Sequence, residues 1–153
     1  MNKIEFKKTV LEKAKDRQQE IIDDFRRRIK ELNSSESSVE EDKLDHDQQS
    51  LDATADHLIN GLADQLNFVV EEMNVLNRMK VENAVHETVA IGSIVKTNMQ
   101  TFYPSVSIEK FDVNGEEMFG VSAKAPIYLA MKGKKKGESF EYNKAVYTIL
   151  DLY

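Results

Sequence analysis

Apolar residues recur at intervals of three and four along two stretches of the chain, residues 3 to 33 and residues 47 to 80. Charged residues fill most intervening positions of the first stretch, which contains no glycine or proline, and both stretches predict α-helices. Stripes this narrow are typical of a coiled-coil seam, and two such helices, each about 45 Å long, predict an antiparallel coiled-coil hairpin. The two stripes are Leu11, Ala14, Gln18, Ile21 or Ile22, Phe25, Ile29 and Leu32, then Leu51, Ala55, Leu58, Leu62, Leu66, Val69, Met73 and Leu76.

The pattern changes after about residue 83, where short apolar or alternating runs separated by turn residues predict strands. Asn114-Gly115 and Asn143-Lys144 mark two hairpin turns, and Pro126 begins a short helix. The runs predicted as strands are 89–95, 102–108, 118–121, 140–142 and 145–152. The sequence therefore predicts an α+β protein: residues 1–82 form the hairpin, and residues 83–153 form a small antiparallel β-sheet domain with one short helix.

Composition narrows the function classes. The chain has no cysteine, which excludes disulfides and thiolate chemistry and fits a cytoplasmic protein. No apolar run reaches the roughly 20 residues of a membrane helix, and the N-terminus has no apolar core of a signal peptide, so we expect no membrane partner. Of the three histidines, His46 is a candidate metal ligand, with an exposed loop residue as the alternative. His57 and His86 show no ligand spacing with it and are expected to be structural or solvent-facing.

The negative charge is concentrated near the junction of the two helices. Residues 36–56 contain eight acids and one lysine, a net charge of −7, whereas the whole chain carries −6. A solvated loop is the simplest interpretation of such a segment, and a metal site or a basic partner is the alternative. The predicted hairpin would place the densest part, near residues 36–47, at its tip.

The second domain contains, in this order, Ala125-Pro126-Ile127, the Leu129-Ala130 pair, Gly133-Lys134 and Gly137-Glu138. In these residues, and in the segments 89–95 and 147–153 at the ends of the domain, it resembles the C-terminal domain of the GreA/GreB family of bacterial transcript cleavage factors. It implies an FKBP-like domain that docks on RNA polymerase beside the secondary channel. It also implies that the coiled coil enters this channel and that two acidic tip residues help to hold a second Mg²⁺, which cuts backtracked RNA.

In the family the tip pair follows the pattern Asp-x-x-Glu, and Asp42-Lys43-Leu44-Asp45 is the best match here. The resemblance thus implies Asp42 and Asp45 as the catalytic pair, with Glu41 and Asp47 as further Mg²⁺ ligands. The ion would be shared with the polymerase and not bound stably by this protein alone. The tip also departs from the family pattern: Glu41 replaces a glycine, and His46 replaces an asparagine. Relatives with four clustered acids inhibit the polymerase, so inhibition is the alternative to cleavage.

Two basic clusters are candidate contact surfaces. Arg26, Arg27 and Lys30 lie on the first helix, where the resemblance implies a patch that contacts RNA phosphates, which position a complex without reading sequence. Lys132, Lys134, Lys135 and Lys136 form the densest cluster and are candidates for docking to an acidic polymerase surface. A solvated helix face and a solubility-promoting turn are the respective alternatives.

The chain has few residues from which a catalytic site of its own could be built: it contains three histidines, no cysteine and no glycine-rich phosphate loop. We therefore expect an accessory factor, not an enzyme, whose partners are RNA polymerase and the 3′ end of nascent RNA. A coiled-coil interaction module that reuses the same fold for another partner is the alternative. The hairpin predicts a monomer, whereas helices paired between chains would predict a dimer.

Overall fold

The computed structural model describes the backbone of residues 2–37 and 46–153 and the side chains of residues 2–34 and 54–153. Two long helices come first, then a sheet domain with one short helix, so the predicted α+β class is confirmed. The elements in chain order are α1 (Lys3–Ser37), α2 (His46–Arg78), β1 (Val95–Thr97), β2 (Thr101–Ser105), β3 (Ile108–Val113), β4 (Glu116–Ser122), α3 (Pro126–Met131), β5 (Ser139–Tyr142) and β6 (Ala145–Leu152).

The helix boundaries differ slightly from the predicted ones. Helix α1 continues to Ser37 instead of ending at residue 33, because serine in a helix costs only a fraction of 1 kcal/mol relative to alanine. Helix α2 begins at His46 and ends at Arg78. The buried amide of Gln18 on α1 donates a 2.9 Å hydrogen bond to the carbonyl oxygen of Val69 on α2. The two predicted stripes therefore meet, as expected for an antiparallel hairpin.

The described strands form one sheet in the order β3-β4-β2-β1-β6-β5. Neighbouring strands are antiparallel except β2 and β4, which pair in parallel with Phe102 opposite Phe119. Strand β4 therefore lies between β2 and its hairpin partner β3. Both predicted hairpin turns are confirmed, with positive φ at Asn114 and Gly115 and at Asn143 and Lys144, the backbone of a type I′ turn.

Two of the predicted strands are wrong. The run 89–95 contributes only Val95 to a strand, because Ala90 and Ser93 form a turn in which the Ser93 hydroxyl donates to the Ala90 carbonyl oxygen at 2.6 Å. Gly92 adopts φ +89° in the same turn, and such side-chain hydrogen bonds compete with a sheet ladder. The run 102–108 is divided between β2 and β3.

The chain forms two compact units. Unit 1 comprises Met1–Arg17 and Glu72–Tyr153, and unit 2 comprises Gln18–Glu71. Within unit 1 the sheet is covered on both faces. The proximal turns of the helices pack on one face through Val10, Leu11, Ala14 and Leu76, and α3 packs on the other through Tyr128 and Met131.

Candidate functional site

Four of the eight acids of the segment 36–56, at positions 40, 41, 42 and 45, lie in sequence between the last residue of α1, Ser37, and the first residue of α2, His46. The predicted ligands Glu41, Asp42 and Asp45 lie outside the described residues. Asp47 belongs to the first turn of α2, but its side chain is also outside them. The catalytic pair and the Mg²⁺ site therefore stay predictions that rest on the sequence.

The three basic residues of α1 lie on one side of the helix. At 100° per residue, Arg26, Lys30 and Arg27 fall within an arc of about 100°, and all three side chains are exposed. Asp24 binds the guanidinium of Arg27, which raises the pKa of Arg27, and it also accepts a 3.0 Å contact from Arg28. The carboxylate of Asp24 thus offsets part of the positive charge of this cluster. Arg26 and Lys30 extend the positively charged surface along the helix.

The lysine turn, residues 132–138, has a backbone fixed by neighbours on two sides. On one side, Val89 donates to the carbonyl oxygen of Lys134 at 2.8 Å, and Gly133 donates to that of Val89 at 2.9 Å. On the other side, Gly137 donates to the carbonyl oxygen of Ile149 on β6 at 2.8 Å. The turn is therefore a rigid platform in which the positions of the lysine Cα atoms are set by the sheet.

The side chains of the lysine turn are largely solvent-accessible. Lys132, Lys135 and Lys136 are exposed and Lys134 is half-buried. Lys136 lies 3.6 Å from Asp151, a carboxylate that also lies 3.3 Å from Lys3 of α1. The structure thus brings all four predicted docking lysines together on one turn.

Lys7 and His86 form a partly buried polar contact that the sequence did not predict. Lys7 is 2% exposed and His86 is half-buried, and Nζ of Lys7 lies 2.8 Å from Nδ1 of His86. Burial lowers the pKa of both groups, and the charge of Lys7 lowers the pKa of His86 further. One signal was present in the sequence: Lys7 precedes Leu11, Ala14 and Gln18 at helical spacing, which places a cation on the buried stripe.

Within the part of the chain that the structure describes, no group of three or more acidic, histidine or cysteine side chains is arranged to hold a metal ion. The predicted Mg²⁺ ligands lie outside that part and are not tested by this finding. None of the described helices is long and apolar enough to cross a membrane.

Comparisons with known proteins give a distant structural likeness. No family model and no curated protein matches the chain. Among solved structures, the chain is similar to the crystal structure of GreA factor homolog 1 (Gfh1) of Thermus thermophilus, with a TM-score of 0.34 and 13% identity. The match covers 91% of this chain and 94% of that one. A likeness at this level leaves family and function to be argued from the residues of this chain.

Proposed function

We propose that this protein binds bacterial RNA polymerase, inserts its helical hairpin into the secondary channel and stimulates cleavage of backtracked RNA with the acids between its helices. The observation that carries the proposal is the order of parts along the chain. Two long helices flank a segment rich in carboxylates, and a sheet domain follows that contains the Gre-like residues 125–138.

The carboxylates that lie between the helices and at the start of α2 suit Mg²⁺. Glu41, Asp42, Asp45 and Asp47 supply carboxylate oxygens, the ligands that this hard cation prefers. The chemistry that such an ion supplies in two-metal hydrolysis is stabilisation of the attacking or leaving oxygen. In this proposal the four carboxylates complete a site whose other ligands belong to the polymerase, so the protein is an accessory factor and not an enzyme.

The lysine turn supports a docking role for the sheet domain. A fixed backbone with exposed Lys132, Lys135 and Lys136 presents positive charge at defined positions, and complementary charge accelerates association with an acidic surface. Leu129 on α3 is 60% exposed and precedes the turn by three residues, so it adds an apolar element to the same region of the chain. Arg26 and Lys30 are proposed to contact phosphates of the RNA.

Cleavage is tested with a backtracked elongation complex that carries 3′-labelled RNA, in Mg²⁺ and with polymerase from the same organism. We expect short 3′ fragments with the wild-type protein and their loss in Asp42→Ala and Asp45→Ala. Asp56→Ala, an exposed acid further along α2, is the control that keeps activity. Slower nucleotide addition without fragments contradicts cleavage and identifies an inhibitor of the same channel.

Docking is tested separately by the kinetics of binding to core polymerase. The double variant Lys132→Glu/Lys135→Glu should reduce the association rate about tenfold or more at low salt, and the difference should shrink as the ionic strength rises. Lys144→Glu, in the exposed turn between β5 and β6, is the matched charge reversal and should have little effect. If the wild-type protein does not bind core polymerase, the proposal fails and an interaction module with another partner takes its place.

A further inference from the structure

A cavity of about 190 Å³ in unit 1 lies beside the contact between Lys7 and His86. Its polar lining consists of these two side chains together with those of Lys80, Glu82 and Tyr103. None of these residues belongs to the acidic segment, the basic cluster of α1 or the lysine turn. The cavity is therefore a feature that the polymerase proposal does not use.

The ammonium group of Lys7 has unused hydrogen-bonding capacity. An ammonium carries three N–H donors, and within residues 2–34 and 54–153 Lys7 has one hydrogen-bond acceptor, Nδ1 of His86, and no carboxylate within 4 Å. Glu82 is near enough to act on the charge of Lys7, but burial has the larger effect and lowers the pKa of Lys7. A buried cation is costly unless it is paired and hydrogen-bonded, so this group is suited to receive an anion.

His86 holds the ammonium group of Lys7 in place. When Lys7 is protonated it donates to Nδ1 of His86, which leaves the imidazole neutral with its proton on Nε2. Burial and the neighbouring ammonium both lower the pKa of His86, which favours this neutral form. Nε2–H diverges from Nδ1 across the ring, so the two remaining N–H groups of Lys7 are the donors available to one carboxylate.

The rest of the lining sets the size and polarity of the ligand. Leu11, Met79 and Ile91 contribute apolar side chains to the walls of the cavity. The volume of the cavity equals that of about six water molecules at ~30 Å³ each. Glu82 in the lining disfavours a second negative charge on the ligand. A short apolar chain with a single negative charge matches these walls better than a phosphate does.

We propose that this cavity binds a small aliphatic monocarboxylate, with its carboxylate on the ammonium group of Lys7 beside His86 and its chain against Leu11 and Met79. The proposal is independent of the polymerase proposal, since neither the ligand nor its contacts involve the residues assigned there. A protein that failed to bind polymerase would still bind the carboxylate if this inference is right.

The test uses the full chain and the ring-nitrogen NMR signals of His86, assigned by their loss in His86→Asn. Butyrate, acetate and inorganic phosphate are titrated separately at constant ionic strength against chloride. We expect butyrate to shift the His86 signals saturably, with about tenfold higher affinity than acetate because two more methylene groups are buried. No saturable shift with butyrate overturns the proposal, phosphate binding without butyrate binding overturns the ligand class, and equal affinities overturn the apolar contacts.

Lys7→Met should weaken butyrate binding about tenfold or more, as expected for the loss of a charged hydrogen bond. Lys8→Met, on the next and exposed position of α1, is the matched control and should bind like the wild type. Equal binding by Lys7→Met and Lys8→Met would contradict the role of Lys7. The wild-type titration decides the proposal even if Lys7→Met does not fold.

Discussion

Gly120 on β4 is the position where the structure leaves least room for a side chain. A Cβ built there would lie 2.5 Å from the carbonyl oxygen of Val106 and 2.9 Å from both the amide nitrogen and the Cβ of Ile108. Ile108 is the residue paired with Gly120 across β3 and β4. Because two of the three obstructing atoms belong to the backbone, no change of rotamer relieves the clash.

Gly120→Ala therefore forces the segment 106–108 away from β4. Atoms in contact prefer a separation of about 3.5 Å, so the required shift is about 1 Å in a region where Val106 and Ile108 are core residues. Overpacking of a core costs about 1–3 kcal/mol, and we expect the upper end, about 3 kcal/mol, because the backbone must move. For a unit of about 100 residues, that lowers the midpoint of thermal unfolding by at least about 10 °C.

Gly61→Ala is the matched control, with the opposite sign. Nothing lies within 4 Å of a Cβ built at Gly61, which is an exposed position of α2. Alanine is favoured over glycine in a helix by about 1 kcal/mol, so the same chemical change should stabilise unit 2 by roughly that amount.

The two effects can be measured in one chain by urea unfolding with two probes. The five tyrosines all lie between residues 103 and 153, in unit 1, and the chain has no tryptophan. Tyrosine fluorescence therefore reports the unfolding of unit 1, and far-ultraviolet circular dichroism reports mainly the two long helices. A tyrosine transition of Gly120→Ala within about 0.5 kcal/mol of the wild type, the range of neutral surface changes, would refute the steric argument.

Two further predictions concern buried polar groups. Gln18→Ala should destabilise the hairpin by about 2 kcal/mol, because the hydrogen bond to Val69 is lost and a space is left behind. Gln19→Ala, at the adjacent exposed position, should leave the free energy of unfolding in urea nearly unchanged. Equal effects of the two variants would contradict a role for burial. Because the pKa of His86 is lowered in the folded state, the unfolded state binds more protons near pH 6, so stability should fall as the pH decreases from 7 to 5. His86→Asn should flatten this dependence of stability on pH, and an unaltered slope in His86→Asn would contradict the assignment.

Local patterns predicted most of the elements, because helices and tight hairpins depend on residues that are close in sequence. The narrow stripes predicted α1 and α2, and the Asn-containing pairs at 114–115 and 143–144 predicted turns that need positive φ. The prediction of a strand at 89–95 was wrong although it also used local patterns. The β-branched residues of this run favour a strand, but Gly92 and Ser93 belong to a turn whose hydrogen bonds compete with those of a sheet.

Non-local pairing left no signal of this kind. The sequences of β2 and β4 do not predict that these strands pair in parallel, because the pairing depends on the packing of the whole sheet. The contact between Lys7 and His86 joins residues 79 positions apart, and only the placement of Lys7 on the apolar stripe pointed to it. The acidic residues 41, 42 and 45 remain a prediction from resemblance and composition.

The division of unit 1 into two pieces of chain has a consequence for biosynthesis. Lys3 contacts Asp151, 148 positions later, and the Phe6 ring lies 6.2 Å from that of Tyr153. As a nascent chain leaves the ribosome, residues 18–71 can associate with one another long before β6 has been translated, whereas the first turns of α1 must wait for it. Because distant contacts form slowly, the apolar side chains of those first turns stay without their partners in β6 until that strand has been synthesised.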